Sequence, residues 1–171
     1  MKTFFRFLLK PLAFVPALIM IYIIFNFSQQ TGDVSSGLSL KVSQKIVVTV
    51  NDVFDQNWNE AQMDHYVERI HYYVRKAAHI TEYFILAITI TLPLYVVFGL
   101  RHVFLFIISA FLCIFLACAD EYHQTFISGR TGTPRDVLID SIGIFSGILV
   151  SQVFCFAGRK TIFAPLEKNK K

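Results

Sequence analysis

The chain has 171 residues, 54% of them hydrophobic and only 16% charged, with a formal net charge of +4. So few charges cannot clothe a soluble domain of this size, and the surplus lysines and arginines sit at segment ends rather than on one basic face, so no nucleic-acid partner is expected. The class read from this is an all-α integral membrane protein, a single domain over residues 1–171, with four spans predicted at 12–27, 77–100, 103–119 and 137–157.

The first span, "LAFVPALIMIYIIFNF", follows Lys2, Arg6 and Lys10. Its charged start suits a signal peptide, but no small-x-small cleavage site comes after it, so an uncleaved span is expected. Residues 28–76 follow as a long extracytoplasmic segment. Within it Leu38, Val42, Ile46, Val50 and Val53 recur at helical spacing, and so do Met63, Val67, Ile70, Val74 and Ala77. Both are amphipathic patterns, separated by "FDQNWNE". The first helix is expected at the membrane surface, the second to run straight into the second span.

Arg101 and His102 occupy the short turn between the second and third spans. The segment 120–136, "DEYHQTFISGRTGTPRD", carries turn signals at Ser128-Gly129 and Gly132-Thr133-Pro134. Asp136 then meets the positive start of the fourth span. A basic tail closes the chain, with Arg159, Lys160, Lys168, Lys170 and Lys171. The lysine and arginine distribution predicts both termini in the cytoplasm and the segments 28–76 and 120–136 outside. Cys113, Cys118 and Cys155 show no metal spacing and read as small apolar residues.

The charges within the apolar runs are the informative part. At about 100° per residue, Arg75, His79 and Glu82 share one helix face within an arc of about 60°. Asp120 and Gln124 share a face at the end of the third span. Asp136, Asp140, Gly143 and Gly147 line up at the start of the fourth, where glycines let another helix approach. The topology brings these groups to one membrane level, and ionisable groups there turn inward. Asp120, Glu121, Asp140 and Arg130 are the expected partners of Arg75, His79 and Glu82, with Asp136 and Asp140 positioning the arginines. His79, Glu82 and Asp120 are candidates for proton transfer; the plainer reading is a polar network that fixes helix register. Arg75, Lys76 and Arg130 are candidate anion binders, while Lys76 also fits a cation snorkelling to the interface. A metal is not expected, since no HExxH occurs and Arg75 and Arg130 would repel a cation. No cofactor is expected either.

Three stretches in order, "FNFSQQTG", "RKAAHITEY" and "DEYHQTFISGRTGTPRDVLIDSIG", resemble the VanZ-like family of bacterial membrane proteins, over about residues 21–149. The sequence differs slightly, with "FSQQ" where the family often has "FSSQ" and "ISGR" where "PGR" is common. The resemblance implies a multi-pass protein of the bacterial cell membrane. It also implies a link to resistance against teicoplanin, a glycopeptide acting at the cell wall. Carried over residue by residue, it marks Arg75, Lys76, His79, Glu82, Tyr83, Asp120, Glu121, Gln124, Phe126, Arg130, Asp136, Asp140 and Gly143. The functions in view are an outward polar pocket that engages a wall precursor, a lipid headgroup or a glycopeptide, and alternatively a membrane hydrolase or transferase on a lipid-linked or phosphate-bearing substrate. Membrane lipids are expected partners in either case.

Overall fold

The computed structural model of the chain describes residues 10–158. Lys2, Arg6 and the tail cations, which carry most of the predicted orientation, lie outside the described residues. The described chain is helical throughout: a single 3-10 turn at Pro11–Phe14, then α1 (Val15–Ser28), α2 (Gly32–Val53), α3 (Glu60–Val96), α4 (His102–Gln124) and α5 (Pro134–Gly158). Four helices are long and apolar enough to cross a membrane: α1 with its preceding turn, α3, α4 and α5.

The second amphipathic pattern does run into the second span. They form one helix of 37 residues, α3. Its start is set locally. Asn59 accepts from the Gln62 backbone N–H while the Gln62 side chain accepts from the Asn59 N–H. This reciprocal arrangement satisfies two donors that a helix start would leave orphaned. The preceding break turns through Asp55 and Asn57, both in the left-handed region that these residue types tolerate. Trp58 packs on Tyr66 with ring centroids 4.3 Å apart, which pins the loop to the first turns of α3. The far end of α3 stops at Val96, and Val97–Arg101 make the turn into α4.

The bundle is built around α3, whose widest interface is with α5. Tyr83, Leu86, Ala87, Ile90 and Leu94 repeat at helical spacing and form the buried stripe. On α5, Gly143 and Gly147 lie one turn apart against it. A methyl group on Gly143 would overlap the Ile80 carbonyl, and one on Gly147 the Phe84 carbonyl. Lipid tails are as apolar as leucine, so close backbone approach, not hydrophobic burial, is what holds such helices together.

The first amphipathic helix, α2, presents an unexpected face to the bundle. Its apolar stripe, Leu38, Val42 and Ile46, is 46%, 50% and 42% exposed. Its buried positions are Gly32, Ser39, Ser43 and Val47. The small serines allow α2 to lie close on the first half of α3, where Ser39 Oγ and His71 Nε2 meet at 2.9 Å and the same nitrogen lies 3.2 Å from the Ser36 carbonyl. Both α1 and α2 pack on α3 and make no extended interface with each other.

Candidate functional site

One end of the bundle gathers the end of α1, the middle of α3, the end of α4 and the start of α5. The loop 125–133 ties them together. Gly129 turns in the left-handed region, and Gly32 N–H donates to the Ser128 carbonyl at 3.0 Å. A side chain on Gly32 would strike the Gly129 carbonyl, so this junction needs glycine.

Arg130 is the main fastener of this end. Its Nη2 donates to the Phe27 carbonyl and its Nε to the Gln30 carbonyl, both at 2.8 Å. Its Nη1 donates to Gln124 Oε1 at 3.1 Å. The first two acceptors are carbonyls at the end of α1, where a helix lacks internal donors and its dipole is negative. Burial lowers the pKa of Arg130 from its ordinary value, with the like charge of Arg75 acting the same way and Asp120, Glu121 and Glu82 opposing. Arginine nonetheless stays charged at such sites.

Gln124 relays this fastening to the acids of α4. Its Nε2 donates to Asp120 Oδ2 at 3.0 Å and to Glu121 Oε1 at 3.3 Å. The other oxygen of Glu121 accepts from the Thr133 N–H at 2.9 Å, just before α5 begins. Glu121 thus anchors the start of α5 and does not pair with a cation. Lys76 Nζ reaches Asp136 Oδ1 at 2.5 Å. His79 Nδ1 faces Asp140 Oδ1 at 3.7 Å, too long for a hydrogen bond.

These contacts correct the expected pairing. Asp136 holds Lys76 instead of an arginine, and Lys76 is ion-paired instead of merely snorkelling. Asp140 faces His79 and no arginine. Arg130 makes its hydrogen bonds to carbonyl oxygens and an amide, not to a carboxylate, because the α1 terminus lies closer than any acid. Among the described residues Arg75 makes a single long hydrogen bond, 3.5 Å to Ser36 Oγ.

Between α1, α2 and α3 lies a cavity of about 490 Å³, closed at the back by the end of α4. Arg75, His79, Glu82, Asp120, Gln124 and Arg130 line it. Lys76, Tyr83, Glu121, Asp136 and Asp140 do not. Tyr83, Asp120 and Asp140 are almost fully buried. Among the described residues, Tyr83 OH, Asp120 Oδ1, both oxygens of Asp140 and His79 Nδ1 have no partner within hydrogen-bond geometry. Buried polar atoms are normally paired, and an uncompensated carboxylate costs several kcal/mol. The concentration of orphans behind and along one wall therefore marks this end as more than a packing device. Phe126 is exposed, packs edge-on against Tyr122 and does not line the cavity, while Gly143 belongs to the α3–α5 contact. Among the described residues, no three His, Cys, Asp or Glu side chains converge as metal ligands do.

The front wall was not foreseen. It comes from α2, with Ser35, Leu38, Ser39, Val42 and Ile46. The signal available was the serine spacing Ser36, Ser39, Ser43, which marks a close-packing face on α2 and so fixes where its apolar stripe must point.

A model of the family described as VanZ/LLP1 matches residues 13–155. No curated protein and no solved structure shows significant similarity to the chain.

Proposed function

The chain belongs to the VanZ/LLP1 family of membrane proteins, and from that premise we propose that its polar cavity is a binding site of the bacterial cell envelope that opens on the outer side of the cell membrane. The observation that carries this reading is the cavity itself. Its wall joins two arginines, a histidine, a glutamate and an aspartate from separate elements at one bundle end. Its volume falls within the range of about 300–1,000 Å³ usual for small-molecule sites. The arginines orient an anionic group, either of a wall precursor, of a lipid headgroup or of a glycopeptide. The lysines and arginines of both terminal segments support cytoplasmic ends and hence an outward cavity.

The family resemblance links this site to teicoplanin resistance. The test compares susceptibility of a sensitive host carrying wild type, Arg75→Ala, Glu82→Gln or Asp120→Asn at matched membrane abundance. Protection by wild type and its loss in the variants is the expected result. Absence of protection by wild type overturns the resistance role.

A second reading, a hydrolase or transferase, draws on His79. Its Nδ1 side faces Asp140 while the residue lines the cavity. A carboxylate beside one ring nitrogen, with the residue at the cavity wall, is compatible with a general base. Glu82→Gln keeps size and most hydrogen bonding but cannot carry a proton. Full activity of that variant excludes proton transfer by Glu82.

A further inference from the structure

We infer that the cavity takes a zwitterionic amphiphile with a phosphate or carboxylate and a primary ammonium in its head, and that the tail of this molecule lies against α2. The inference rests on the reading of the cavity as a ligand site and names the class of ligand.

The cavity has two chemically distinct halves. Toward the end of α4 it is lined by Arg75, Glu82, Asp120 and Arg130. Elsewhere its wall is apolar, with Ile24, Leu38, Val42, Ile46 and Val74. A ligand that satisfies both halves needs a polar head joined to an apolar segment.

α1 and α2, which both line the cavity, do not close on each other. The cavity rim carries Leu38, Val42, Ile46 and Phe27, all substantially exposed. Such a rim suits an apolar chain. Water-soluble ligands have no reason for such a rim.

The head is specified by the groups left unsatisfied. Arg75 has one long hydrogen bond and no carboxylate within ion-pair reach, so it seeks an anion. Glu82 has no hydrogen-bond partner among the described residues, and Asp120 Oδ1 is buried with only the Ser28 hydroxyl near it, outside hydrogen-bond geometry. Both seek donors or positive charge. A purely anionic head would answer Arg75 and be repelled by Glu82 and Asp120. A purely cationic head would do the reverse. A head with both signs answers all three, and a primary ammonium donates hydrogen bonds that a quaternary one cannot.

The test uses the full-length protein purified in a mild detergent, with bound species counted by native mass spectrometry. The probes are lysophosphatidylethanolamine, lysophosphatidylglycerol, lysophosphatidylcholine and tail-free glycerophosphoethanolamine. The expected result is tightest binding of lysophosphatidylethanolamine, by at least about tenfold over each of the others. Glu82→Gln is expected to erase its advantage over lysophosphatidylglycerol. Ile46→Trp, at an exposed position on the tail wall, is expected to weaken every tailed probe while the thermal midpoint holds. Equal binding of the tail-free probe overturns the tail contact, and equal binding of the choline or glycerol head overturns the ammonium. Failure of all four to bind overturns the inference outright. Loss of teicoplanin protection in Glu82→Gln, found alongside such failure, would leave the broader reading of the cavity standing.

Discussion

Arg130 holds the carbonyl of Phe27, 103 residues earlier in the chain, at 2.8 Å, and so caps the end of α1 from a loop on the far side of the sequence. With its bonds to Gln30 and Gln124, one guanidinium fixes α1, the turn after it and α4. Arg130→Ala leaves three acceptors unserved, and charge-assisted bonds of this kind point to a loss on the order of 3 kcal/mol. Arg130→Lys is expected to recover only a minor part, because an ammonium cannot span three divergent acceptors. Thermal unfolding in detergent checks both. A lysine variant as stable as wild type would show that charge alone, not the fork, is at work.

Gly143 and Gly37 make a matched pair of tests. A methyl group at Gly143 meets backbone of α3, which cannot step aside, so Gly143→Ala is expected to destabilise and Gly143→Leu to prevent assembly of the bundle. At Gly37, within α2, nothing lies in the way. Gly37→Ala is expected to raise stability by about 0.5–1 kcal/mol through helix propensity alone. The sign difference between two glycine-to-alanine changes is the observable.

Lys76 and Asp136 form a half-buried pair between α3 and α5, with side chains 17% and 25% exposed. A double-mutant cycle of Lys76→Met and Asp136→Asn is expected to give a coupling of about 1 kcal/mol, the upper end for partly solvated pairs. The exchange Lys76→Asp with Asp136→Lys should restore part of the loss. If the two single changes add without coupling, the contact is geometric only.

The membrane orientation has a direct test at Ser128, which is exposed in the loop that fastens the site. Gly132, in the same loop, is unsuitable because a side chain there would strike the Glu121 carbonyl. In a background with Cys113, Cys118 and Cys155 replaced by alanine, Ser128→Cys is expected to react with an impermeant thiol reagent in intact cells. Labelling only after lysis would place the cavity in the cytoplasm.

The helices were legible because their signal is local. Apolar length marks a span, and helical spacing through Met63, Val67, Ile70 and Val74 continues without interruption into Ala77, so one long helix could be read there. Convergence of Arg75, His79, Glu82 and Asp120 at one level followed from counting spans. The pairing within that level was not legible. Whether Asp136 meets an arginine or Lys76 depends on the rotation of α5 about its own axis, which periodicity leaves free by tens of degrees. The role of Arg130 depends on where the carbonyls of α1 end, 100 residues away, and backbone acceptors carry no mark in the sequence. The same limit hid α2 from the site. Its apolar stripe suggested a face lying on the membrane, whereas the serines on another face decided its contact with α3.

The length of α3 sets one more condition on this protein. Thirty-seven residues at 1.5 Å each make a rod of about 55 Å, and a hydrocarbon layer is about 30 Å thick. The rod therefore overshoots the bilayer, and Arg75 to Glu82, near its midpoint, stand where oil gives way to water. A thicker membrane would draw that boundary outward over the charged wall, and a thinner one would leave the charged wall in water. The hydration of the charged wall is therefore expected to vary with the thickness of the lipid around it.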